Sequence, residues 1–218
     1  KNIEKVGGTF AVSVFSVEAL KLALNLNCKI IKIPSGEVSN SILLNEISKH
    51  KVKSILSTGM STFKEIDNAV KNLTIKKDDI ISIMQCSSRY PCKPEEAGLN
   101  VILELKKKYG NRIGFSDHTE GSSAAVIASY LGANYIEKHI TFSKSMYGSD
   151  AYLAMELDQF KDFCKSVKEG NLLRKNLNKN LIDNYLSSMK MTFQKGLYFS
   201  KPLSKGHIIN RKDISILK

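Results

Sequence analysis

The sequence predicts an α/β fold, a parallel sheet covered by helices, and three observations predict it. From residue 9 onward a short β-rich run, a polar tip and an amphipathic helix recur about every 25 residues. The β-rich runs are nearly continuous in apolar residues, the pattern of strands covered on both faces. The stretches between them are long enough to carry the chain back to the start of a neighbouring parallel strand.

The predicted strands are 9–15 (TFAVSVF), 29–35 (KIIKIPS), 53–59 (KSILSTG), 80–87 (IISIMQCS), 112–118 (RIGFSDH) and 134–140 (NYIEKHI). The predicted helices are 17–27, 39–50, 62–73, 95–109, 121–132 and 157–170. Ser39 and either Ser61 or Thr62 stand at N-cap positions, and Glu65 follows in capping-box fashion. Lys106–Lys108 end a helix, where cations suit the dipole. After about residue 171 the chain turns polar, rich in Asn and Lys, and reads as a linker holding at most a short helix. The tail from Gly196 has strand alternation around a KPLSKG turn, the opening hairpin of a β-rich module, with His207 at the surface.

Composition narrows the function. At 218 residues and 42% hydrophobic, the chain can bury one ordinary core. No apolar run suits a membrane span, and no signal-peptide pattern is present. The net charge of +12 raises nucleic acid as a partner. The lysines are spread over helix faces without aromatic interleaving, which favours a solvated surface and suits a small anionic substrate. Cys28, Cys86, Cys92 and Cys164 lack CxxC spacing, as expected of reduced thiols in a cytoplasmic protein. Cys86, late in an apolar strand, reads as a packed core residue.

Candidate chemistry gathers at the strand tips. His118 and His139 end consecutive predicted strands, and neighbouring strands lie about 5 Å apart, so the two could share one metal ion. Equally, each could be a structural hydrogen-bonding residue. Residues two apart share a strand face, which groups Ser116 with His118 and Glu137 with His139. Ser13, Ser35, Ser57, Ser87 or Ser88, and Ser116 recur near strand ends, with Lys32 close by. At the C-terminal rim of a parallel α/β barrel, such hydroxyls and a lysine would suit a phosphate-like dianion; as single residues they would be helix caps. Asp150 lies in the long loop 141–160, either a polyol contact or a turn residue beside Gly148. Tyr90 either packs on a sugar or plugs the core.

The segments KIPSGEVSN, ILSTGM, CSSRYP, IGFSDHTEG and IEKHIT, with GSD after them, resemble the sialic acid synthase family. Its members condense phosphoenolpyruvate with an N-acylated amino sugar to make sialic, legionaminic or pseudaminic acids. The resemblance runs from about residue 9 to the end, and SDHT combined with E-K/R-H is its specific part. It implies a TIM-type (β/α) barrel followed by a small antifreeze-like (SAF) domain. On that reading 1–173 is a barrel portion of six of the eight βα units, 174–193 a linker and 194–218 the start of the SAF domain. Two further units, bringing an active-site glutamate and a second phosphate-binding lysine, would precede it. The rest of the SAF domain would follow and complete the partner's sugar site in a full-length homodimer.

Position by position, the resemblance makes His118 and His139 ligands of a divalent metal, manganese first, with magnesium or cobalt as alternatives. Ser13, Lys32, Ser35, Ser57, Ser88 and Ser116 match phosphoenolpyruvate contacts; Ser13 is commonly Thr in the family, and Ser88 stands where some members have Asn. Tyr90 and Asp150 match amino-sugar contacts. Glu137 matches an acidic residue beside the metal, a proton handler or a support behind the ligands, with a carboxyl pKa expected to be raised by its apolar strand. His118, His139 and Glu137 form the expected catalytic set of a metal-dependent condensation. The 218-residue chain is expected not to turn over alone, since the barrel would stay open and the glutamate and lysine missing. Rival readings are a related synthase using another acceptor, a remnant that binds without catalysis, and a nucleic-acid binder.

Overall fold

The computed structural model describes residues 2–73, 80–181 and 183–217. The chain divides into two units, 1–175 and 176–218. The first begins with a single helical turn, α1 (Asn2–Lys5), and then alternates: β1 (Ala11–Ser13), α2 (Val17–Asn25), β2 (Ile30–Ile33), α3 (Ser41–Ser48), β3 (Lys53–Ser57), α4 (Phe63–Leu73), β4 (Ile80–Cys86), α5 (Asn100–Tyr109), β5 (Ile113–Asp117), α6 (Ser123–Leu131) and β6 (Tyr135–Lys138). The six strands form one sheet in chain order, every neighbouring pair parallel, as the recurring unit predicts.

One contact shows how far the sheet curls. β2 and β6 stand four strand spacings apart, about 19 Å if flat. Yet Lys32 on β2 and Glu137 on β6 meet at 2.5 Å, closer than two side chains could bring flat strands. The sheet is therefore an arc, as in part of a barrel. Alternation along each strand separates two environments. Ile31, Ile33, Leu56, Ile83, Ile113 and Phe115 face outward and are buried with Leu20, Leu43, Leu44, Ile47, Ile66, Ile102 and Leu105 of the covering helices. This helix-to-sheet layer is the core. The inner face carries Ser13, Lys32, Ser116 and Glu137, linked along the register Ser13↔Lys32 and Ser116↔Glu137.

Several local expectations change. Ser39 does not cap α3: a 3-10 turn at Ser35–Glu37 delays the helix, and the Asn40 side chain accepts from the Leu43 amide at 3.1 Å. Ser39 donates instead to Glu65. The α4 capping box is Thr62 with Glu65: the Thr62 amide donates to the Glu65 carboxylate at 2.7 Å, and the Glu65 amide to the Thr62 hydroxyl at 3.4 Å. α5 does run through Lys106–Lys108 and ends at Gly110, whose φ of 80° suits a residue without Cβ. The sixth strand stops at Lys138, because the chain changes partners there: β7 (Ile140–Thr141) pairs with β8 (Met155–Glu156) instead of β5. α7 (Leu157–Leu172) then packs on α6, where a Cβ at Gly170 would stand 2.8 Å from the Val126 carbonyl oxygen.

In the second unit, α8 (Asn184–Phe193) begins at an Asp183 cap that accepts from the Leu186 amide at 2.8 Å. β9 (Gly196–Phe199) and β10 (Ile214–Leu217) pair antiparallel. His207 is exposed, as expected, and its Nε2 lies 2.7 Å from the carboxylate of buried Asp213. Among the described residues no helix is long and apolar enough to cross a membrane.

Candidate active site

The strand tips of the first unit surround a cleft of about 430 Å³ lined by Ser13, Lys32, Tyr90, His118, Glu137 and His139 among others. Each arrives for a local reason. Lys32 lies between two isoleucines that face the core, so alternation turns it inward. Ser116 and Glu137 are register partners on adjacent strands, and the Ser116 hydroxyl donates to the Glu137 carboxylate at 2.6 Å. The same carboxylate oxygen accepts from Lys32 at 2.5 Å. His118 and His139 follow the last residues of β5 and β6, with ring centroids 5.3 Å apart. The Tyr90 ring stacks at a tilt on His118 at 4.2 Å and meets His139 edge-on at 6.1 Å. The Tyr152 hydroxyl donates to the Tyr90 carbonyl at 2.9 Å, so the long loop folds back over this group. Asp150, half exposed, comes within 3.6 Å of His139 Nδ1.

A second cluster adjoins the first. The Gly59 amide donates to Ser35 Oγ at 3.0 Å, joining the tips of β2 and β3. A Cβ at Gly59 would lie 2.4 Å from Ser88 Oγ and 3.1 Å from both Ser35 Oγ and Cys86 Sγ. Ser35, Ser88 and Cys86 thus close around a position that only glycine leaves open, and Ser88 rather than Ser87 supplies the hydroxyl. Ser57 Oγ is buried and has no hydrogen-bond partner among the described residues. An orphaned hydroxyl is costly unless something else satisfies it, which suits a ligand.

Cys86 corrects its sequence reading. It is buried, but on the inner face with Ser116 as register partner, and its Sγ lies 4.0 Å from His118 Nδ1. It does not belong to the helix-to-sheet core. Counting back by two from Ser88 would have placed it on the site face; its apolar neighbours concealed that. Gly59, the glycine of the STGMST strand–helix turn, stands where the sequence places a backbone N–H near the rim, and the approach of three side chains adds the reason it must be glycine.

Electrostatics correct another expectation. Burial pushes the Glu137 carboxyl up, but the Lys32 charge and the hydrogen bonds from Lys32 and Ser116 outweigh it, and its pKa lies below the ordinary glutamate value. Glu137 is a carboxylate, not a stored acid. Burial lowers the pKa of His118, with the neighbouring His139 helping, although the Ser87 carbonyl opposes it. Burial raises the Cys86 thiol, which keeps it a protonated donor.

His118 Nδ1 sits 2.7 Å from the Ser87 carbonyl oxygen, an arrangement that assigns the proton to Nδ1 and leaves the Nε2 lone pair for a ligand. Two imidazoles at this spacing could hold a divalent cation between them. Among the described residues no third His, Cys, Asp or Glu joins them in a metal-binding group. Glu137 is instead held by Lys32 and Ser116.

The sequence profile of the NeuB family matches residues 1–179. The chain is 31% identical over 206 residues to the pseudaminic acid synthase of Helicobacter pylori, covering 94% of this chain and 60% of that protein. It is 32% identical over 216 residues to the N,N'-diacetyllegionaminic acid synthase of Campylobacter jejuni, covering 97% and 64%. The fold superposes on the N-acetylneuraminic acid synthetase of Leptospira borgpetersenii, crystallised with citrate, with a TM-score of 0.78 at 26% identity, covering 88% of this chain and 67% of that one. The chain thus spans somewhat under two thirds of the length of the two curated relatives.

Proposed function

The chain belongs to the NeuB family, and from that premise we propose that its cleft condenses phosphoenolpyruvate with an N-acylated amino sugar of the N-acetylmannosamine type, giving a nonulosonic acid. The observation that carries this reading is the convergence on one rim of a lysine, a ring of hydroxyls and two imidazoles. Each half suits one substrate group. Ser35, Ser57, Ser88 and the Gly59 region suit the phosphate, Lys32 and Ser116 suit the anion's remaining charge, and Tyr90 and Asp150 face the sugar side. Ser13 sits beside Lys32 on the register and extends the hydroxyl rim.

In the condensation, C3 of phosphoenolpyruvate forms a bond to the sugar's aldehyde carbon. Water adds to C2, the C2–O bond to phosphate breaks, and inorganic phosphate leaves. The residues of this chain hold the two substrates in register, which can contribute about 7–11 kcal/mol of the barrier. Glu137, as a carboxylate, can accept a proton from water or a hydroxyl once Lys32 turns to the substrate anion. His118 and His139 are the residues that would hold a divalent cation, manganese first; when bound, it supplies Lewis-acid polarisation of the aldehyde oxygen. Residues 194–218 read as the opening hairpin of an SAF domain, a reading supported by the antiparallel β9–β10 pair.

The test is an assay of phosphate release and product acid with phosphoenolpyruvate, Mn²⁺ and N-acylated amino sugars, run on a polypeptide extended to the length of the curated relatives, because the 218-residue chain alone is expected not to turn over. Product dependent on Mn²⁺, abolished by His118→Ala and by His139→Ala, is expected. Activity undiminished by chelator would overturn the metal role, and absence of product with every amino sugar would overturn the reaction.

A further inference from the structure

The backbone ladder between β5 and β6 ends at the rung Asp117↔Lys138, one residue short of the two histidines. Beyond it the strands part. The His118 carbonyl accepts from the Cys92 amide at 3.0 Å, and the His139 carbonyl from the Met155 amide at 2.9 Å, so each histidine is tied to a different segment. No ladder bond therefore sets the distance between their rings.

Side chains of the last rung could set it. Lys138 Nζ lies 2.9 Å from Asp117 Oδ2, with the two side chains 3% and 0% exposed. Lys138 Nζ also donates to the Thr119 carbonyl. Asp117 Oδ1 accepts from the Thr119 amide at 2.9 Å and from its hydroxyl at 2.7 Å. Lys138 thus grips the residues on both sides of His118, and its own next residue is His139. The ammonium lies 5.8 Å from the Phe163 ring of α7, which backs it from the outer side. A buried ion pair is seldom favourable over an apolar pair of the same shape, so its presence asks for a reason other than stability.

We propose that Asp117, Lys138 and Thr119 are positioning residues that fix the spacing of the His118 and His139 imidazoles. The inference rests on the reading of those imidazoles as a metal site only for its ligand; the spacing itself is a property of the protein. The Asp117 and Lys138 side chains are almost fully buried, so the clamp holds the rings from within the protein.

The experiment compares wild type, Lys138→Arg, and the double variant Asp117→Asn/Lys138→Met. Readouts are Mn²⁺ affinity by calorimetry, the urea midpoint, and the ring separation in crystals. Wild type and Lys138→Arg are expected to bind alike. The double variant should bind Mn²⁺ about tenfold more weakly, in the range typical of groups behind metal ligands, while its midpoint stays near wild type because both charges leave together. A folded double variant with unchanged affinity and unchanged ring separation overturns the proposal. Should the double variant not fold, Thr119→Val removes one bond to Asp117 and leaves the charges; weaker Mn²⁺ binding by that variant supports the clamp and unchanged binding overturns it. His118→Ala separates the two readings. If that variant binds Mn²⁺ as wild type does, the imidazoles are not the metal site, and ring separation in the double variant alone decides: wider supports the clamp, unchanged overturns it.

Discussion

Replacing Lys32 with methionine keeps most of the unbranched stem of the side chain and removes its charge. In the native cleft Lys32 and Glu137 meet at 2.5 Å, so an incoming anion faces a pair close to neutral. In Lys32→Met it faces Glu137 alone. Losing the charge-assisted contact costs about 1.5–3 kcal/mol, roughly 10- to 150-fold in affinity. The uncompensated carboxylate adds repulsion: at roughly 6 Å and an effective dielectric near 20, Coulomb's law gives about 3 kcal/mol. The two effects have the same sign, so phosphoenolpyruvate binding should fall by at least about 100-fold. The uncharged amino sugar should lose little. Adding Glu137→Gln to Lys32→Met removes the repulsion and should recover about tenfold or more of the affinity. Titration calorimetry of each ligand against wild type, the single variant and the double variant measures all of this. Equal weakening of both ligands would mean damage to the fold, and a double variant no tighter than Lys32→Met would refute the charge argument.

Acid should destabilise the first unit in two stages. His118 is held below the ordinary histidine value, so below about pH 6.5 the unfolded chain binds more protons than the native one, and stability present above that pH falls on acidification. Glu137 is held below the ordinary glutamate value and repeats the effect from about pH 4.3 downward. Urea midpoints across this range should show both stages, and His118→Gln should flatten the upper one; an upper stage of undiminished size in that variant would refute the assignment. Gly59→Ala should push the Ser88 hydroxyl aside, since the added Cβ would start 2.4 Å from it. The variant should keep its thermal midpoint but bind inorganic phosphate or phosphoenolpyruvate several-fold more weakly, and unchanged binding would remove Gly59 from the cradle.

The order of strands and helices was legible because apolar runs of strand length recur between helical ones. The strand-end placement of His118, His139, Ser116 and Glu137 followed from counting by two. The charge state of Glu137 was not legible, because it depends on Lys32, 105 residues away in the chain. Only the curl of the sheet brings that ammonium to the carboxylate. The cap of α3 failed for a nearer reason: Ser39 and Asn40 are both good caps, and a 3-10 turn ahead of them decides between them. Cys86 failed because a thiol in an apolar strand looks the same whether it faces helices or the cleft.

The alternation along β2 has a consequence for how such a protein can change over generations. Ile31 and Ile33 hold the helices, while Lys32 between them meets the cleft. Selection on what the cleft binds and selection on folding therefore read interleaved letters of the same short segment. A library randomised across 30–33 and sorted for stability alone should enrich apolar residues at 31 and 33, and at 32 only a partner for the Glu137 carboxylate. Inward positions that carry no such partner could then change what the cleft holds without first loosening the scaffold.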